Sequence, residues 1–211
     1  MYCSQCGRQA DGKFCSECGA ALQLPTLPPG GWEHELRYDV LVRVPEVRAM
    51  IDGHSRLSRK KMTGEQFLAL CEKLVPTGVP LERLAGIIQP ITAALGMCTG
   101  KERAESIGAP VGRVIVRVLC SLAKGGQSIR SVQQASDGCL FEAALPSDFW
   151  SLEGDLVVAV RQKGPQTEVR ALTKIKGQLF DWGKSQCCLE RLFADLHAVS
   201  AVVVNPLQRV A

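Results

Sequence analysis

Four cysteines, Cys3, Cys6, Cys15 and Cys18, open the chain in the pattern C-x2-C-x8-C-x2-C. A two-residue spacer lets a tight turn aim two thiolates at one point, and two such turns complete a tetrahedron of sulfur. Each second cysteine precedes a glycine, Gly7 or Gly19, where positive φ lets backbone N–H groups fold toward the sulfurs. Zn2+ suits a closed S4 site, having a fixed oxidation state and no geometric preference of its own. Two disulfides or a rubredoxin-like iron site are the alternatives. With every ligand position filled by protein, one structural Zn2+ per chain is expected. Arg8 and Lys13 are close enough in sequence to offset the negative charge of four thiolates.

The stretch CSQCGRQADGKFCSECG, Cys3 to Gly19, resembles the short zinc-ribbon domains at the start of many bacterial proteins. The resemblance covers residues 1–22 and implies the four ligands, but no activity. Only GRQADGKF separates the cysteine pairs, against roughly 15–20 residues in longer ribbons. Residues 1–22 carry two basic and two acidic side chains, so the segment lacks the one-sided basic surface of a nucleic-acid reader. So small a module cannot bury a core of its own. Zinc binding, on the order of 10–16 kcal/mol in finger peptides, would substitute for it.

The remaining composition is that of an ordinary globular chain: 211 residues, 46% hydrophobic, 22% charged, net charge +4. Aromatics make up 5%, few for stacking on single-stranded nucleic acid. No apolar run follows Met1 and no window is long enough to span a bilayer, so neither a secretory leader nor a membrane span is expected. A reducing cytoplasm is the expected compartment. There the six scattered cysteines, Cys71, Cys98, Cys120, Cys139, Cys187 and Cys188, would be reduced thiols acting as small apolar residues.

LPTLPPGG, Leu24 to Gly31, falls in a proline- and glycine-rich linker, 23–35. Residues 36–106 read as a mainly helical segment. Beyond LPTLPPGG, Glu35–Val44 alternates as a strand with Leu36, Tyr38, Val40 and Val42 on one face, stopped by Pro45. His54, Arg56, Arg59, Lys60 and Lys61 form the densest basic cluster, expected on a solvated face. Thr63-Gly-Glu-Gln66 has capping-box form ahead of Phe67, Leu70, Cys71 and Leu74 at helical spacing. A second helix carries Leu81, Leu84, Ile88, Ile91 and Leu95.

Residues 107–211 read as an α+β sheet domain with a C-terminal helix. A leading helix buries Val111, Ile115, Val118, Leu119 and Leu122 and sets Arg113, Arg117 and Lys124 on another side. Four antiparallel strands follow, Ser128–Gln134, Cys139–Leu145, Leu156–Gln162 and Thr167–Lys176, the last two joined by a KGPQ turn. A closing helix from about Gly183 buries Leu189, Leu192, Phe193 and Leu196, with Asp181 as its expected cap. The fold class is therefore α+β: an N-terminal zinc ribbon, a helical middle, and a four-stranded antiparallel sheet between a leading and a closing helix. The stretch from Asp155 to Leu196 resembles uncharacterised bacterial α+β domains with a hairpin, a polar corner and a final helix. That likeness implies no activity.

Phe149, Trp150 and Trp182 are candidates to line an apolar cavity between sheet and closing helix, able to take a small molecule or lipid. The Gly183–Ser185 triplet GKS lacks the GxxxxGK[ST] spacing of a phosphate loop, because bulky residues fill the interval from Gly177. Cys187 and Cys188 are neighbours on a helix and point apart. His34, His54 and His197 are sequence-linked to no nucleophile motif. No catalytic residue is assigned. The expected function is non-enzymatic, a structural zinc site serving interaction with a protein partner or assembly, with small-ligand binding as the alternative.

Overall fold

The computed structural model describes residues 6, 8, 14, 16–19, 30–58, 62–74, 76–78, 98–99, 101–145, 147, 153–176 and 183–198. The chain divides into two compact units, Met1–Gly30 and Gly31–Ala211, and the division falls inside the PPGG stretch. In the first unit, Gly19 adopts φ 70°. Arg8 pairs with Glu17 at 3.7 Å, both well exposed.

The second unit begins with a 3-10 turn, Gly31–His34, whose Trp32 is buried and donates from Nε1 to Glu46 at 2.8 Å. Helix α1, Tyr38–Leu41, follows where the alternation predicts a strand. Tyr38, Val40, Leu41 and Val42 are all buried, and three consecutive buried positions fit a turn of helix rather than one face of a strand. The Tyr38 N–H is accepted by Gln134 Oε1 at 3.0 Å, and its hydroxyl donates to Cys71 O at 3.2 Å. Long-range partners thus override the local pattern. Pro45 opens α2, Pro45–Ser55, at the first helical position, where its missing N–H costs nothing. Helix α3, Gly64–Lys73, has the expected capping box: Gln66 N–H donates to Thr63 Oγ1 at 3.2 Å and Thr63 N–H to Gln66 Oε1 at 3.0 Å. Phe67 and Cys71 are fully buried. The helix expected over Leu81–Leu95 lies outside the described residues.

Among the described residues, seven strands form one sheet: β1 Thr77–Gly78, β2 Cys98–Thr99, β3 Glu102–Ile107, β4 Ile129–Gln134, β5 Gly138–Leu145, β6 Gly154–Lys163 and β7 Gln166–Lys176. Strands β4 to β7 match the four expected to within two residues at each end. They run as an antiparallel meander. The sheet is larger than the expected four strands. Strand β3 adds a fifth antiparallel member beside β7, β2 pairs with the end of β7, and β1 lies parallel to β4. The β6–β7 hairpin turns on Gly164-Pro165, with Gly164 at φ 61°. A positive φ followed by proline admits a II′ turn but not I′, which needs positive φ at both positions.

Helix α4, Val111–Gly125, connects β3 to β4 and packs on β5, β6 and β7, flanked by α2 and by α5, Lys184–His197. Cross-strand rows facing these helices, Phe141–Val158–Ala171 and Cys139–Val160–Val169, are buried throughout. The Tyr38 ring meets Phe141 edge-on at 5.8 Å, a contact that adds to area burial. Gly126, at φ 61°, ends α4: its N–H donates to Ala123 O and that of Gln127 to Leu122 O, the Schellman pattern. On the opposite face, Ala135, Leu140 and Ala159 form a smaller buried cluster with Val157.

The N-cap of α5 is Gly183, at φ 85° and without a side-chain cap bond. Asp181, the expected cap, lies outside the described residues. Leu189, Leu192, Phe193 and Leu196 are buried as expected.

Candidate functional site

Of the four candidate zinc ligands, Cys6 and Cys18 are described and exposed, while Cys3 and Cys15 lie outside the described residues. The positive φ of Gly19, directly after Cys18, is the conformation that a knuckle of this type requires. Arg8, expected near the sulfurs, is engaged by Glu17; Lys13 is outside the described residues. Among the described residues, which do not include Cys3 and Cys15, no three His, Cys, Asp or Glu side chains converge as a metal group.

Phe149, Trp150 and Trp182 all lie outside the described residues, and so does the cavity expected between them. Their connections leave the sheet at one end, where Leu145, Gly154 and Ile175 stand in a single row of the register.

A shallow depression of about 420 Å³ opens beside the 3-10 turn, lined by Gly31, His34, Glu35, Leu36, Arg37 and Gln134 to Ser136. Its polar groups are largely committed to each other. Glu35 takes a two-pronged contact from Arg37, Nε at 3.1 Å and Nη2 at 3.0 Å, plus the Arg37 N–H at 2.9 Å. The Arg37 hydrogen bond holds the Glu35 carboxyl below its ordinary range and raises Arg37 in turn. Gln134 is the clasp of this region, with Nε2 reaching Leu36 O, Ala135 O and Gly138 O while Oε1 accepts from Tyr38. The second glutamine of a Gln133-Gln134 pair at the end of a strand gives no sequence signal of that role.

The body thiols Cys71, Cys120, Cys139, Cys187 and Cys188 are free. Burial pushes Cys71 up to about 11 and Cys120 up to about 12, and raises Cys139 and Cys188 as well. A thiol held neutral in this way is a poor nucleophile. Cys187 is exposed and Cys188 buried, so the neighbours point apart as the helix requires. The Cys98 side chain is outside the described residues.

The histidines occupy three separate elements. His34 is exposed on the 3-10 turn, and His54 is half-buried on α2. His197 closes α5 against Glu105, Nε2 to Oε2 2.5 Å. In the basic cluster, Arg56 pairs with Asp52 one helical turn away at 2.5 Å; Arg59, Lys60 and Lys61 lie outside the described residues. The basic row of α4 ties it to neighbouring elements. Arg113 meets Glu33, Arg117 donates to Leu196 O at 2.8 Å, and Lys124 reaches Asp195 at 2.7 Å.

Sequence reasoning missed one side-chain cluster. Arg103 on β3 lies 4.7 Å over the Phe193 ring and donates from Nε to Glu105 at 2.6 Å. Arg103 and Glu105 are two positions apart, which in an extended chain is one face. That signal becomes readable only once Glu102–Ile107 is known to be a strand. No helix among the described residues is long and apolar enough to cross a membrane. Comparison of the chain with known protein families, curated proteins and solved structures found no match.

Proposed function

We propose that the chain is a non-enzymatic zinc-ribbon protein of the cytoplasm. In this reading Cys3, Cys6, Cys15 and Cys18 hold one structural Zn2+, and the α+β body serves protein interaction or assembly. The observation that carries the reading is the C-x2-C-x8-C-x2-C spacing within a unit separate from the body. The body supports it in a different way. Its described thiols are mostly buried and protonated, and its clustered charges join elements, as in Lys124–Asp195 and Arg113–Glu33. Such pairs hold a scaffold together. The test is hydrogen exchange before and after chelation: exchange should rise across residues 1–22 while α4 and β5–β7 keep their protection. Loss of protection throughout the body would contradict a separable ribbon.

A second reading, binding of a small apolar molecule or lipid near Phe149, Trp150 and Trp182, is favoured by the shared sheet end from which their connections leave. Native mass spectrometry of freshly purified protein reports a retained ligand directly.

A further inference from the structure

Strand β3 is an edge whose charges complement themselves. Among the described residues it pairs only with β7, from Glu102 opposite Leu172 to Ile107 opposite Thr167. Glu102, Arg103, Ala104 and Ser106 are exposed. Thr173 N–H donates to Lys101 O at 2.9 Å, so Lys101, Arg103, Glu105 and Ile107 direct their backbone groups toward β7. By antiparallel alternation, Glu102, Ala104 and Ser106 present N–H and C=O outward. Such an edge is a template for another strand.

We propose that this edge is the interface with a second copy of the same chain, β3 against β3 in antiparallel register about a two-fold axis at Ala104. That register joins Ala104 to Ala104 and Glu102 to Ser106 as hydrogen-bonded pairs, using the outward-facing backbone groups and no others. It places Arg103 opposite Glu105 of the second copy, and Glu105 opposite its Arg103. These are non-hydrogen-bonded positions, where side chains approach most closely. Moving the axis by one residue sets Arg103 against Arg103 or Glu105 against Glu105. Moving it by two sets Glu102 against Glu102, or leaves Glu105 facing Ile107. Only the Ala104 register matches both the hydrogen-bond parity and the charges. Charges on an edge strand usually keep strands apart; here their order, Arg then Glu two positions on, attracts the reversed copy of itself. The join is isologous and closes as a dimer. It uses no residue of the cysteine segment, so it stands independently of the zinc reading.

Sedimentation velocity of the full chain under reducing conditions, over a concentration series, tests this. The wild type should show a monomer–dimer equilibrium. Arg103→Glu and Glu105→Arg should each weaken it roughly tenfold or more, because two cross-strand pairs turn from attractive to repulsive. An equimolar mixture of the two variants should recover the dimer, since each then meets its complement; recovery also shows that both variants are folded. Ala104→Pro removes the central outward N–H, leaves the ladder to β7 intact, and should give monomer. A wild type monomeric at every soluble concentration overturns the proposal. So does a dimer indifferent to both charge reversals, or a mixture that stays monomeric.

Discussion

His197, in the last turn of α5, brings Nε2 within 2.5 Å of a Glu105 carboxylate oxygen on β3, 92 positions earlier in the chain. The same carboxylate takes Arg103 Nε at 2.6 Å, and Arg103 covers the Phe193 ring on α5. A carboxylate, a guanidinium, an imidazole and one aromatic ring thus fasten the closing helix to the edge strand.

This cluster makes the helix docking pH-dependent. The His197 hydrogen bond, helped by Arg103, lowers Glu105 from its ordinary value of 4.5. A carboxyl depressed in the folded state adds stability that is complete above its unfolded value and is lost as pH falls through the folded one. The contribution of Glu105 to the attachment of α5 should therefore be complete above the ordinary glutamate range and be lost below it. In a carboxyl-carbon NMR titration, Glu105 should titrate below 4.5, and His197→Ala should move it upward. An unchanged midpoint in that variant would show that the contact contributes nothing.

Two glycines on helices should respond in opposite directions to alanine. A Cβ on Gly112 would lie 2.2 Å from Trp32 O and 2.7 Å from Glu35 O, backbone atoms of the segment against which α4 is pressed. A helical glycine-to-alanine change gains at most about 1 kcal/mol, whereas overpacking against backbone costs about 1–3 kcal/mol. Gly112→Ala should therefore lower stability. Gly53, on α2, has nothing within 4 Å of a built Cβ, so Gly53→Ala should raise stability by up to about 1 kcal/mol. Urea denaturation followed by Trp fluorescence distinguishes the two.

The same contrast shows what can be read from sequence. The helix at Val111–Gly125 is legible because its buried face repeats at offsets of 4, 7, 8 and 11 from Val111. The meander is legible because its strands are short apolar runs between turns and the last alternates, with Thr167, Val169, Ala171, Thr173 and Ile175 buried on one face. Strand β3 is not, since an exposed edge such as ERAESI has only Ile107 to bury and so no alternation. Tyr38–Leu41 is misread because the interaction that fixes it comes from Gln134, 96 positions away. Nor does the row Arg113, Arg117, Lys124 show in sequence that it will bind Glu33, Leu196 and Asp195. The cysteine pattern is the reverse case: the chemistry proposed for it rests on local spacing alone.

Thiol labelling should follow burial. Native protein treated with an alkylating reagent at about pH 7.5, where only thiolates react, should modify exposed Cys187. Buried Cys71, Cys120, Cys139 and Cys188 should stay unmodified until denaturant is added. Peptide mass spectrometry reads each site. Labelling of Cys120 as fast as Cys187 would contradict the packing of α4 against α5.

The central claim is the zinc clip, and metal content tests it most directly. Elemental analysis of protein purified without added metal should give about one zinc per chain, lost on Cys3→Ser or Cys15→Ser. A metal-free protein with its first four cysteines joined as disulfides would contradict the account.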